Sequence, residues 1–187
     1  MLFAGGGLRR ATPRDMATTQ KRKVITPTIQ RHQIPAMPQS LAAVYLHLVF
    51  STKNRQPFLE HPGIRDEMYR YFGSISKTLG CTPIRVGGTA DHVHILACIS
   101  RTITIAEWVK ELKRVSGIWL HGRSADYEEF QWQSGYGVFS VSQSNLERVT
   151  SYVVNQEQHH QEMSFQDELR GLLRKHRIDF DERYLYD

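Results

Sequence analysis

The order in which the hydrophobic period changes along residues 44–142 leaves few folds open to this chain. Residues 44–52 form a β-branched and aromatic run, a strand by composition, which Lys53-Asn54-Arg55-Gln56-Pro57 ends. Pro62 suits the first turn of a helix that runs to about Leu79 and stops at Gly80. Residues 82–87 and 92–99 read as two strands around a Gly-Gly-Thr-Ala-Asp connection. Thr104-Ile105-Ala106-Glu107 is a capping box, and Ile105, Trp108, Val109, Leu112, Val115 and Trp119 follow at helical spacing. A short strand spans 137–142. Ser144-Asn145-Leu146-Glu147 is a second capping box, predicting a helix to about His160, and Ser164 with Asp167 opens a last one. The order β-α-β-β-α-β predicts an α+β fold: a ferredoxin-like split βαβ sandwich with a four-stranded antiparallel sheet and helices on one face, plus a C-terminal tyrosine-bearing helix.

At 187 residues the chain suits one domain of this kind. Its charge is unevenly spread. Before Met37 there are seven basic residues and one acid, so that segment contributes +6 to a net charge of +5 and leaves residues 37–187 at −1. Any nucleic-acid affinity of the folded part must therefore come from a local patch. Residues 1–36 lack amphipathic period and read as a disordered basic tail. Met37-Pro38-Gln39-Ser40 looks like a natural start, so the expected division is an upstream start over 1–36 and a catalytic domain over 37–187. No apolar run is long enough to span a membrane, no secretory h-region is present, and two cysteines without paired spacing fit a reducing, cytoplasmic setting.

Chemistry is suggested first by His92-Val93-His94. Alternate strand residues share a face, so both imidazoles point one way and form half of a divalent-metal site. Two solvated histidines at a strand end would look the same. The second half lies in the helix after Ser144. There Leu146, Val149 and Val153 make an apolar stripe, and Tyr152 and Gln156, four apart, stack at its margin. A rim tyrosine beside a surface glutamine fits that spacing too. With the histidines, however, the pair gains a logic. Two imidazoles and an amide oxygen suit Mg²⁺ or Mn²⁺, and such a cation would offset phosphodiester charge in front of a phenol nucleophile.

These residues resemble those of the HUH nucleases, and more narrowly the single-tyrosine transposases of the insertion-sequence 200/605 family. The resemblance rests on four blocks in order: Tyr45-Leu46-His47-Leu48-Val49-Phe50-Ser51-Thr52-Lys53, the Gly-Gly-Thr-Ala-Asp-His-Val-His stretch, Gly135-Tyr136-Gly137-Val138-Phe139-Ser140-Val141-Ser142, and Asn155-Gln156-Glu157-Gln158-His159-His160. It implies cleavage and rejoining of single-stranded DNA with hairpin ends, moving an insertion sequence. Tyr152 would form a 5′-phosphotyrosine and free a 3′-OH, and His92, His94 and Gln156 would hold Mg²⁺ or Mn²⁺. No nucleotide cofactor is implied, because the phosphotyrosine conserves the bond energy.

The family works as a homodimer whose tyrosine helix can serve the partner's histidines. Leu96 and Cys98, on the histidine face, are expected to need covering by a partner sheet unless the Tyr152 helix folds back over its own sheet. Candidate DNA contacts are Lys53 and Arg55 after the first strand, and Lys110, Lys113 and Arg114 on the second helix, each equally readable as solvated surface. Asp91 is a candidate to orient a histidine. His47 reads as structural, and His159 as a cation at a helix end. Three other readings remain beside the transposase. A histidine-triad hydrolase would need a third histidine where Leu96 stands. A non-catalytic nucleic-acid-binding module on the same topology would want paired stacking aromatics on the central strands. A domesticated relative acting on chromosomal repeat hairpins would share all of the chemistry.

Overall fold

The computed structural model describes residues 41–185, so the expectations for residues 1–36 and for a start at Met37 lie outside the described residues. Four strands, β1 (Tyr45–Ser51), β2 (Thr82–Gly88), β3 (His92–Cys98) and β4 (Gly137–Val141), form one antiparallel sheet in the order β2-β3-β1-β4. That is the ferredoxin-like arrangement the sequence order predicts. The central strands are β1 and β3, paired Tyr45 to Cys98 through Ser51 to His92. Among the described residues no helix is long and apolar enough to cross a membrane.

Alternation sorts each strand's residues onto two faces. On one face Leu46, Leu48, Phe50, Val93, Ile95 and Ala97 are buried against α1 (Pro62–Thr78) and α2 (Ile105–His121). Phe50 meets Phe72 and Trp132 edge-on, at ring-centroid distances of 5.9 and 4.9 Å. α1 starts on Pro62 after a His61 cap and ends before Gly80, which takes a left-handed φ of 73°. α2 starts where the capping box places it, with Thr104 Oγ1 accepting from the Glu107 amide at 3.1 Å.

The other face is covered by α3 (Leu146–Val154), α4 (Gln156–His159) and α5 (Phe165–Lys175). Val49 and Phe139 of the sheet pack there against Phe165, Leu169 and Leu173. The expected single helix from Ser144 to His160 is not formed. Residues 143–145 make a 3-10 turn, and no side chain caps α3. The Ser144 hydroxyl lies 3.0 Å from that of Ser142 instead, and Asn155 (φ −95°, ψ 21°) separates α3 from α4. Ser144 thus spends its hydroxyl on a neighbouring side chain, and the box it was expected to close is lost. α5 begins as expected, with Ser164 Oγ accepting from the Asp167 amide at 3.2 Å.

α3 lies close on the sheet because β2 offers glycine beneath it. A Cβ on Gly87 would come within 2.1 Å of the Val153 carbonyl oxygen, so only glycine allows this approach. The tyrosine helix therefore covers its own sheet. Leu96, expected to stay partly exposed on an isolated chain, is fully buried, and Cys98 is half-buried. The exposure that was to call for a partner sheet is absent at Leu96, because α3 packs on β2 and β3 of the same chain.

Candidate active site

His92 and His94 point from β3 onto the α3–α5 face and are buried, as is Gln156 at the start of α4. Asp91, in the connection before β3, reaches His92 Nδ1 at 2.7 Å, and Thr89 Oγ1 donates to the same carboxylate oxygen at 2.9 Å. An ionised carboxylate only accepts, so the His92 proton belongs on Nδ1 and the Nε2 lone pair faces inward. Burial alone would raise the Asp91 carboxyl, yet the hydrogen bonds and charge around it hold its pKa below the usual range. Gln156 Oε1 lies 3.4 Å from His92 Nε2.

At the centre stands Glu168 of α5, which the sequence reading did not select. Its Oε1 accepts from the Tyr152 hydroxyl, and from Gln156 Nε2 at 3.0 Å. Its Oε2 lies 3.0 Å from His160 Nε2, 3.3 Å from His94 Nε2 and 3.9 Å from His92 Nε2. Burial would push this carboxyl up, but the hydrogen bond from His160, with His94 3.3 Å away and the hydrogen bond of Tyr152, outweighs it and keeps Glu168 ionised. His160 also holds the Met163 carbonyl through Nδ1 at 2.8 Å, so both of its nitrogens face acceptors. That arrangement favours the imidazolium. Although burial opposes the charge, contact with Glu168 raises the His160 pKa.

His47 belongs to the site as well. A 2.9 Å hydrogen bond joins its Nε2 to His94 Nδ1, and its ring meets that of Tyr152 edge-on at 6.0 Å. Burial, with His94 adding to it, lowers His47 to about 3. Burial likewise lowers His94 to about 4 against the pull of Glu168. Both imidazoles are therefore neutral at pH 7, and with His94 Nδ1 donating to His47 Nε2 the Nε2 lone pair of His94 is left for a cation. The phenol of Tyr152 moves the opposite way, since burial and the Glu168 carboxylate both raise its pKa.

The donor set fits a divalent ion. Ligand atoms of His92, His94, His160 and Glu168 all lie within 4.8 Å of one another. His94 Nε2 is buried without a hydrogen-bond partner, and the inward atoms of His92, Gln156 and Glu168 are all acceptors. A cluster of facing acceptors around an orphaned nitrogen is resolved by a cation. The chemistry of imidazole plus oxygen suits Mn²⁺ or Mg²⁺.

The basic candidates are placed elsewhere. Lys53 and Arg55 lie in a 3-10 turn after β1, where Lys53 Nζ donates to Gln131 Oε1 at 3.1 Å and Arg55 takes a left-handed φ of 54°. Lys110, Lys113 and Arg114 sit on α2, across the sheet from the histidines. Lys110 is exposed. Arg114 pairs with Glu111 at 2.7 Å. Lys113 is not the free cation expected of a phosphate contact. Its Nζ donates to the carbonyls of Gln133, Ser134 and Gly135 at 2.8, 3.3 and 2.6 Å and sits 4.9 Å above the Phe50 ring, with burial pulling its pKa down to about 8. It ties the 133–135 loop to α2.

Glu168 had a readable signal. Phe165, Leu169, Leu172 and Leu173 make an apolar stripe along α5, and Glu168 falls inside it at i+3 from Phe165. An acid on the buried stripe of a helix needs partners, and here it has six, His159 Nε2 standing 3.9 Å from Oε1. His47 carried the equivalent sign in β1, on the face that register gives to His94.

No curated protein matches the chain. A crystal structure of a Deinococcus radiodurans R1 protein assigned as a transposase is similar to it at a TM-score of 0.51, with 22% identity over 64% of this chain and 95% of that one. A REP-associated tyrosine transposase, solved bound to a REP hairpin, aligns at a TM-score of 0.49 and 10% identity, over 66% of this chain and 72% of that one. The family described as "Transposase IS200 like" matches residues 40–156, a span that contains the four strands, both histidines, Tyr152 and, at its last position, Gln156. The chain belongs to the IS200-like transposases, the insertion-sequence 200/605 family.

Proposed function

We propose that this chain cleaves and rejoins single-stranded DNA bearing hairpin ends, with Tyr152 as nucleophile and Mg²⁺ or Mn²⁺ held by His92, His94 and Gln156. The observation that carries the reading is the meeting of the Tyr152 phenol, Gln156 and His94 on one buried carboxylate within a single chain. The phenolic oxygen attacks the scissile phosphorus and the bond to the 3′ oxygen breaks. A 5′-phosphotyrosine forms and a 3′-OH leaves; attack by another 3′-OH reverses the step and joins new ends. When bound, the cation offsets charge on the phosphate.

The chain's own residues do the rest. Glu168 holds the phenol as a hydrogen-bond donor and fixes its direction. Asp91 fixes the His92 tautomer, and His47 fixes the ring of His94 from the far side. His160 balances the charge of Glu168. Each protomer of a homodimer would then use its own tyrosine. In the presence of Mn²⁺, His92→Ala and His94→Ala should both lose cleavage of a hairpin-bearing strand while still binding it. Full cleavage by either variant would remove the metal assignment.

A further inference from the structure

The face that carries Tyr152 also carries a cleft of 440 Å³ between α3, α5 and β4. Its size is that of a small-ligand site. Tyr152, His47 and Glu168 line its inner end, so it opens onto the nucleophile. Two cations stand on its walls, Arg148 of α3 and Lys175 of α5, both exposed. Among the described residues neither is engaged by a carboxylate. The acid beside them, Asp167, is taken up by Arg170 at 3.0 Å and by Ser164 Oγ at 2.7 Å, and Glu168 is taken up by the histidines. The far end is aromatic. His176 rests on Phe139 with ring centroids 4.8 Å apart, and Val149, Met163 and Leu172 add apolar lining.

A cleft with a flat ring, apolar walls and one unpaired cation on each side matches an unpaired nucleotide. Its base has a π-face to stack and its two flanking phosphates have charge to place. A duplex does not fit this description, because its bases are already stacked on one another and offer no free face to His176. Resting on the single-strand reading above, we infer that this cleft holds the nucleotide adjoining the scissile phosphate, with Arg148 and Lys175 on its phosphates and the base against His176.

Gly171 gives a direct way to close the cleft. It lies inside α5 at the cleft wall, and a Cβ there would meet nothing within 4 Å, so a large side chain can enter without disturbing the core. The test is fluorescence anisotropy of a labelled ten-nucleotide dT strand, and of an abasic strand with the same phosphates, at several salt concentrations. Wild type should bind dT at least about fivefold more tightly than the abasic strand, in line with stacking of one base. Arg148→Ala with Lys175→Ala, at two exposed positions, should weaken both strands about tenfold and make the salt slope shallower by roughly 1.4, the value for two single-strand phosphate contacts. Gly171→Trp and His176→Ala should erase the preference for dT over abasic strand. Wild-type behaviour in the double alanine variant and in Gly171→Trp would overturn the cleft and leave single-strand binding standing. Failure of the wild-type chain to bind either strand would overturn the single-strand reading itself.

Discussion

The two faces of the sheet are made by alternate residues of the same strands, yet they are built for different ends. Toward α1 and α2 the strands send Leu46, Leu48, Phe50, Val93 and Ile95, and two 17-residue helices cover them. Toward α3, α4 and α5 they send His47, Ser51, His92 and His94, and the covering helices have 9, 4 and 11 residues with a break at Asn155. The first face gains from removing apolar surface from water. The second buries three imidazoles, a glutamine and a glutamate, each of which must be matched by another polar group to remain there. Stability belongs mainly to one side and chemistry to the other, and each strand residue contributes to one of them by the parity of its position.

The comparison can be broken most severely from the apolar side. Phe50→Ala should destabilise the fold by about 3–5 kcal/mol, the usual cost of emptying a buried aromatic site, read by urea unfolding. Glu168→Leu tests the other side. It removes the carboxylate at the middle of that cluster, so Mn²⁺ affinity measured calorimetrically should fall at least about tenfold, whereas Phe50→Ala, on the opposite face, should leave that affinity within about twofold in the folded chain. An equal loss of Mn²⁺ affinity in the two variants would contradict the division between the faces.

Acid separates the faces more finely. His47 and His94 have native pKa values pulled below the unfolded value of about 6.5, so the unfolded chain binds more protons between that pH and the native values. Stability therefore falls as pH drops from about 6.5 toward 4, and the lowered Glu168 carboxyl adds to the loss below its ordinary range. His47→Leu should flatten the upper part of that fall. An unchanged curve would mean the histidine pair is not the acid-sensitive element. The smallest expected effect is at Lys113, where Lys113→Met should cost about 1–2 kcal/mol through the freed carbonyls of residues 133–135 and leave the affinity for single-stranded DNA unchanged. A large loss of DNA affinity would return Lys113 to the phosphate contacts.

Much of the fold could be read ahead because local signals and tertiary packing agree over most of the chain. Pro62, Gly80 and the Thr104 box mark helix ends where the structure has them, and the strand order follows from the period changes. The region around Ser144 was harder. Its hydroxyl satisfies a side chain rather than the helix amides, and contact of α3 with Gly87 governs where that helix lies. Within the site, His92, His94, Tyr152 and Gln156 are visible as local spacings. Glu168 and His47 show locally only as polar residues on buried faces; which groups they meet follows from strand register and the docking of α5, which are long-range facts. The contacts of Lys113 with residues 133–135 were not legible, because a lysine on a helix looks solvated until the loop it fastens is known.

The central claim is that Tyr152 is the nucleophile of a DNA-cleaving site. It is tested most directly on a denaturing gel, using labelled hairpin-bearing single strands drawn from the DNA flanking the gene, with Mn²⁺ present. Wild type should carry label into a protein band, EDTA should prevent it, and Tyr152→Phe should bind the strand without forming the band. A covalent adduct that persists in Tyr152→Phe would contradict the account.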